Sequence, residues 1–120
     1  MSDADAGLIH ADCLQENILM TPSGPALIDF DDAGFGYRGY DLGTAMVQHY
    51  AHPKKTVIAK ALLQGYGTLR TAPSIGKLQF FTMLRALASC GWVISRGEGD
   101  MAYQRSQAAR AIHCAREWLT

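Results

Sequence analysis

A chain of 120 residues and 13.1 kDa, 48% apolar and 18% charged, carries enough hydrophobic material for one domain or part of one, and is too apolar to be disordered. Eleven basic residues offset eleven acids, so the net charge is zero and nothing favours a general attraction to nucleic acid or an anionic membrane. Cys13, Cys90 and Cys114 are odd in number, widely spaced and lack a C-x-x-C pair, which argues against a disulfide framework or zinc knuckle and for a reducing compartment.

Residues Met1 to Ala6 read as a frayed lead-in, acidic and small, unlike a secretory leader. No apolar run is read as membrane-spanning, and the expected location is cytoplasmic. "LIH" is a very short apolar run, followed by a polar loop from Ala11 to Glu16. "NILM" and "ALIDF" read as two strand-like runs separated by "TPSGP", a Pro/Gly turn of hairpin-compatible length. Acids and glycines in "DDAGFGYRG" predict that the strand stops there, with Gly34 and Gly36 serving turn geometry. The period then becomes helical. One helix is predicted from Tyr40 to about Tyr50, ended by Pro53. A second starts at Pro53 with Val57, Ala61 and Leu62 on its inner side. Ser74 is set to cap a third helix, from Lys77 to about Ser95, with Leu78, Phe81, Leu84, Ala88, Gly91 and Ile94 as its stripe. Asp100 is set to cap a fourth, with Ala108, Ile112, Ala115 and Leu119 inward. The fold class is α+β and mainly helical: a small β-hairpin followed by about four helices.

The chemistry concentrates at the front. His10, Asp12 and Asn17 form H-x-D-x-x-x-x-N. An Asp leaving a strand end can orient an attacking hydroxyl or accept its proton, and an Asn five residues on can return its amide oxygen to the same space. A hard cation such as Mg²⁺ takes oxygen ligands and keeps several waters, so one amide and one carboxylate suffice when phosphates supply the rest. Asp29, ending "ALIDF", offers that carboxylate if the two runs pair antiparallel.

These residues, "IHADCLQENIL", "LIDFDDAGFG" and "YDLG", resemble the aminoglycoside phosphotransferase and choline kinase group, relatives of the protein kinases, over Leu8 to about Val47. The resemblance implies a kinase-like C-terminal lobe, an alcohol acceptor, and ATP and Mg²⁺ as cofactors. It implies Asp12 as the catalytic acid-base residue, Asn17 and Asp29 as metal ligands, His10 as a brace of the loop, Asp41 as its hydrogen-bonding anchor, and Asp31 as a further acid near the metal. Asp32 reads as a turn acid.

Only nine residues precede His10, too few for the Gly-rich loop, strand lysine and hinge that grip a nucleotide in this group. The expectation for residues 1–120 is therefore a partial lobe, with the nucleotide-binding lobe absent from this chain and its nucleotide contacts unassigned, inactive or weakly active alone. The competing reading is a non-catalytic oligomerising remnant or interaction module. A metal hydrolase is the weakest, for want of a His-rich ligand set. Expected partners are a small hydroxyl acceptor, a nucleotide, and a second copy or other partner covering apolar faces such as Phe80, Phe81, Leu84 and Trp92. His49 and His52 have no third ligand nearby, and Trp92 and Trp118 read as core. Glu98, Asp100 and Glu117 are the acids that could suit a cationic acceptor.

Overall fold

Glycine and proline punctuate the first forty residues, and the chain answers with four short strands where the sequence suggested one hairpin. The computed structural model describes residues 5–120, so most of the expected lead-in lies outside the described residues. Strand β1 (Ala6–Ile9) pairs antiparallel with β4 (Gly34–Tyr37), and β2 (Ile18–Thr21) pairs antiparallel with β3 (Gly24–Leu27). Helices α1 (Gly39–Val47), α2 (Lys55–Gly67), α3 (Ile75–Arg96) and α4 (Met101–Leu119) follow.

The hairpin β2–β3 forms as the two apolar runs and the turn between them predict. Ile18 faces Leu27 and Thr21 faces Gly24, whose φ of 116° needs the absence of a Cβ. The pairing of β1 with β4 corrects the reading of "DDAGFGYRG" as turn alone. Gly34 and Gly36 lie in that ladder, and Gly36, with Gly7 opposite it, allows close approach. A Cβ on Gly36 would lie 2.8 Å from Ile9 Cδ1, and one on Gly7 would run into the Arg38 guanidinium. Ala6, assigned to the lead-in, is already strand, and Arg38 N–H donates to Asp5 C=O at 2.9 Å.

Helices α3 and α4 begin where side chains satisfy their free amides. Ser74 Oγ accepts from Lys77 N–H and Asp100 Oδ1 from Tyr103 N–H, as the sequence predicts. The buried faces differ from the predicted stripes by about a residue. In α2, Ile58, Leu62 and Tyr66 turn inward, while Val57 is exposed. In α4, Ala111 and Cys114 are buried and Ile112 and Leu119 are not. Helix α3 packs on both α1 and α4, so it buries two faces: Leu78 and Phe81, then Met83, Arg85, Ala86 and Val93, with Ile94 exposed. By length and composition alone α3 could cross a bilayer, which corrects the reading that no run is long enough; here it is the central packing helix.

Two clusters make the core. Val47, Met83, Ala86, Ala111 and Cys114 join α1, α3 and α4, and Leu42, Met46 and Leu78 join α1 and α3 under α2. Gly43 sets the spacing between α1 and α3. A Cβ there would sit 2.6 Å from the Phe81 carbonyl oxygen and 2.6 Å from Thr82 N. Phe81 itself is buried, worth about 2–3 kcal/mol. It is therefore not the uncovered face expected, and Phe80 and Leu84 are half-buried against the first cluster. Trp92 is exposed, as expected, and exposed apolar residues also lie on the helices (Val57, Ile94, Leu119) and on the strands, where Leu8 at 85% exposure sits opposite Phe35 at 80%.

Candidate active site

The end of β1 enters a sharp bend. Ala11 has φ of 71°, a left-handed conformation that a Cβ-bearing residue adopts at a cost of about 1–2 kcal/mol. The Asp41 carboxylate in the first turn of α1 offsets that cost. Its Oδ2 accepts from His10 N–H at 2.9 Å and its Oδ1 from Ala11 N–H at 2.8 Å. Both oxygens of one side chain thus hold two successive amides of the bend.

His10 is 4% exposed and fully occupied. Its Nδ1 accepts from Asp12 N–H at 3.1 Å, which leaves Nε2 to donate to Ile28 C=O at 2.7 Å. The edge of Phe30 closes on the ring, with centroids 4.8 Å apart. With no free lone pair toward solvent, His10 ties the bend to the hairpin.

A short 3-10 turn, Gln15–Asn17, then returns the chain to Asp12. Asn17 Nδ2 donates to Asp12 C=O at 2.8 Å and to Asp12 Oδ2 at 3.1 Å. This orients the amide: the nitrogen faces Asp12 and the amide oxygen remains as an acceptor. Asn17 C=O accepts from Ile28 N–H at 2.9 Å, extending the β2–β3 pairing by one rung. Ile28 is therefore held from both sides, by His10 and by Asn17, and Asp29 is the next residue. Asp29 is exposed, with φ of 60°, and its Oδ1 receives a long 3.4 Å contact from Asp31 N–H. Asp31 and Asp32 are exposed in the turn before β4.

The residue that sequence reading missed is Arg85. Only 5% exposed, it donates through Nη2 to Asp12 Oδ1 at 2.8 Å, through Nη1 to Ala11 C=O at 3.0 Å, and through Nε to Ser89 Oγ at 3.1 Å. A signal was present: Arg85 is the single charge between Lys77 and Arg96, inside a helix otherwise apolar on that side. Asp12 is thus gripped by Arg85 on one oxygen and by Asn17 on the other, while its side chain keeps 24% exposure.

Burial raises the Cys13 thiol above its ordinary 9.0, and the charges of Asp41 and Asp12 act in the same direction. Burial also raises Tyr40 above 10.0, against the opposing charge and hydrogen bond of Arg85. Cys13 is therefore a neutral thiol at physiological pH. The three acids that could suit a cationic acceptor are engaged elsewhere: Asp100 caps α4, Glu117 pairs with Lys55 at 2.9 Å, and Glu98 lies 3.6 Å from Arg96.

Among the described residues no group of three or more His, Cys, Asp or Glu side chains is arranged to hold a metal. An exposed carboxylate at Asp29 and a free amide oxygen on Asn17 instead suit a hard cation that keeps most of its shell from water and phosphate.

A strand-end Asp, a return Asn and a second Asp after a hairpin, followed by helices, follow the order of a kinase-like C-terminal lobe. Residues 2–81 match the model of the phosphotransferase enzyme family, and the chain belongs to that family, of the aminoglycoside phosphotransferase and choline kinase type. A solved structure of a microcompartment-associated aminopropanol kinase superposes with a TM-score of 0.76 at 30% identity, over 94% of this chain and 36% of that one. The chain therefore spans little more than a third of the length of that kinase. No curated protein matches the chain.

Proposed function

We propose that this chain is the catalytic segment of an ATP- and Mg²⁺-dependent phosphotransferase acting on a small-molecule hydroxyl. The observation that carries the reading is the Asp12 carboxylate, held at 2.8 Å by Arg85 and 3.1 Å by Asn17 yet still a quarter exposed. A carboxylate fixed in this way can accept a hydrogen bond from an incoming alcohol and hold its oxygen in line for attack. Asn17 and Asp29 would hold Mg²⁺, which when bound neutralises charge on the nucleotide phosphates. Asp41 and His10 keep the bend rigid, so Asp12 has no freedom to swing away. Asp31, beside Asp29, would add negative charge near the cation. The related kinase is named for an amino alcohol, and the acceptor class carried over from it is the small alcohol.

Phosphoryl transfer depends mostly on positioning and charge stabilisation, so this segment by itself is expected to be slow. The test is ATP-dependent phosphorylation of a panel of small alcohols by wild type, Asp12→Asn and Asp29→Asn. A loss of about 10²-fold or more in both variants is expected. Equal rates in all three would end the assignment.

A second reading is favoured by one observation. Leu8 and Phe35, cross-strand partners, expose 85% and 80% of their surface, as an association face would. In this reading the chain forms a homodimer, or docks a nucleotide-gripping partner, through the β1–β4 sheet. Sedimentation of wild type against Phe35→Ser tests it, with a shift toward monomer expected in the variant.

A further inference from the structure

Arg85 does more than hold Asp12. It also walls a cleft of about 230 Å³, together with Leu14, Trp92, Arg96, Tyr103 and Arg110. Given roughly 30 Å³ per water, that is space for about seven waters or a small organic molecule. The cleft has an excess of positive charge. Arg85 is matched by Asp12 and Arg96 by Glu98, the only carboxylate in its lining. Arg110 has no such match: its Nη2 donates to the neutral Gln107 Oε1 at 2.8 Å, and its Nε, shielded from solvent, has no acceptor among the described residues. Burial, together with the nearby charge of Arg85, lowers the Arg110 pKa from its ordinary value, against opposing contributions from Cys114, Tyr50 and Tyr103. The Trp92 ring lies 5.1 Å from the Arg85 guanidinium carbon and 5.7 Å from that of Arg96, so an aromatic face steadies two of the three cations.

We propose that this cleft is the subsite for an anionic group, a carboxylate or a phosphate, carried by the hydroxyl-bearing acceptor. The inference rests on the phosphotransferase reading, since it assigns the cleft to the molecule that meets Asp12. A partly buried guanidinium without a counter-charge is costly, and planar forks are the side chains best matched to carboxylate and phosphate oxygens. Leu14 and Arg85 belong both to the cleft wall and to the Asp12 environment, so a small molecule anchored there by its anion lies next to the loop acid. No uncommitted acid is available in the cleft to receive an ammonium group.

The experiment titrates the chain in the absence of nucleotide and metal, in a Trp118→Phe background that leaves Trp92 as the one tryptophan. Glycerate and glycerol phosphate supply the two anions, and ethanolamine is the cationic control. A saturable change in Trp92 fluorescence with Kd on the order of 1 mM is expected for at least one anion, and none for ethanolamine. A preference between the two anions says which head group the cleft takes. Arg110→Gln should weaken the binding about tenfold, roughly the loss of one charge-assisted contact. The exposed Arg96→Gln, read as well in case the first variant does not fold, should weaken it about threefold. No saturable response to either anion, an equal response to ethanolamine, or wild-type affinity in the folded variants overturns the proposal. Failure here leaves the phosphotransfer comparison intact, and failure of that comparison with anion binding preserved removes only the reaction.

Discussion

Replacing Arg85 with Met keeps the length of the side chain and removes its charge and its hydrogen bonds, among them those to Ser89 Oγ, Ala11 C=O and Asp12 Oδ1. Removing one partner of a fully buried ion pair costs about 3–5 kcal/mol, and a single hydrogen bond to a charged group contributes about 1.5–3 kcal/mol. Asp12 keeps 24% exposure, so water recovers part of its solvation, and the Met side chain restores part of the packing against Trp92. Weighing these, we expect about 3 kcal/mol of destabilisation, a large share of the roughly 5–15 kcal/mol typical of a domain. In melting temperature this is about 10–15 °C. The assay is urea unfolding of wild type, Arg85→Met, Asp12→Asn and the double variant. If the pair is what matters, the double variant is less destabilised than the sum of the singles by about 1–2 kcal/mol. A cost under about 1 kcal/mol for Arg85→Met, or strict additivity, would show that the guanidinium does not hold the loop acid.

Asp41→Asn should cost about 2 kcal/mol, because an amide supplies one acceptor oxygen where the carboxylate serves two amides; hydrogen exchange at His10 and Ala11 should accelerate with it, and unchanged protection would refute the anchor. Gly43→Ala, in spite of better helix propensity, should destabilise by about 2–3 kcal/mol, since its methyl meets Phe81 and Thr82 backbone and forces α1 away from α3; a neutral or raised melting temperature would contradict that packing. The pH dependence follows from three groups whose folded pKa values are raised, Cys13 and Cys114 above 9.0 and Tyr40 above 10.0, chiefly by burial. Below those values both the folded and unfolded states hold the protons; above them the unfolded chain releases protons first, so stability is complete at neutral pH and falls as pH rises past about 9. Urea midpoints from about pH 8 to about pH 10.5 should decline, and a flat profile would contradict the burial of these groups.

What could be read without coordinates is uneven, for physical reasons. The β2–β3 hairpin and the caps at Ser74 and Asp100 rest on local chemistry, short apolar runs around a Pro/Gly turn and side-chain acceptors for free amides, and local chemistry is visible in sequence. The β1–β4 ladder was hidden because its glycines mimic a turn, and their use becomes plain only beside Ile9 and Arg38. The helical stripes shifted because α3 is packed on two sides, which one amphipathic period cannot describe. Arg85 lay furthest from view. It touches Asp12 across 73 residues of chain, and periodicity says nothing about a charge that meets its partner through tertiary structure. The H-x-D-x-x-x-x-N spacing, in contrast, brings Asn17 back against Asp12 through a short loop, a contact local enough to be read from spacing.

Whether Asn17 and Asp29 share one cation beside Asp12 is the central question, and Mn²⁺ relaxation of backbone amide signals measures it directly. With Mn²⁺ in place of Mg²⁺, the amides of Asp12, Asn17 and Asp29 should broaden at the lowest metal concentrations, and Asp29→Asn should raise the concentration needed by about tenfold. Broadening that begins instead around Glu98 and Asp100, or that ignores the Asp29 substitution, would contradict the shared site.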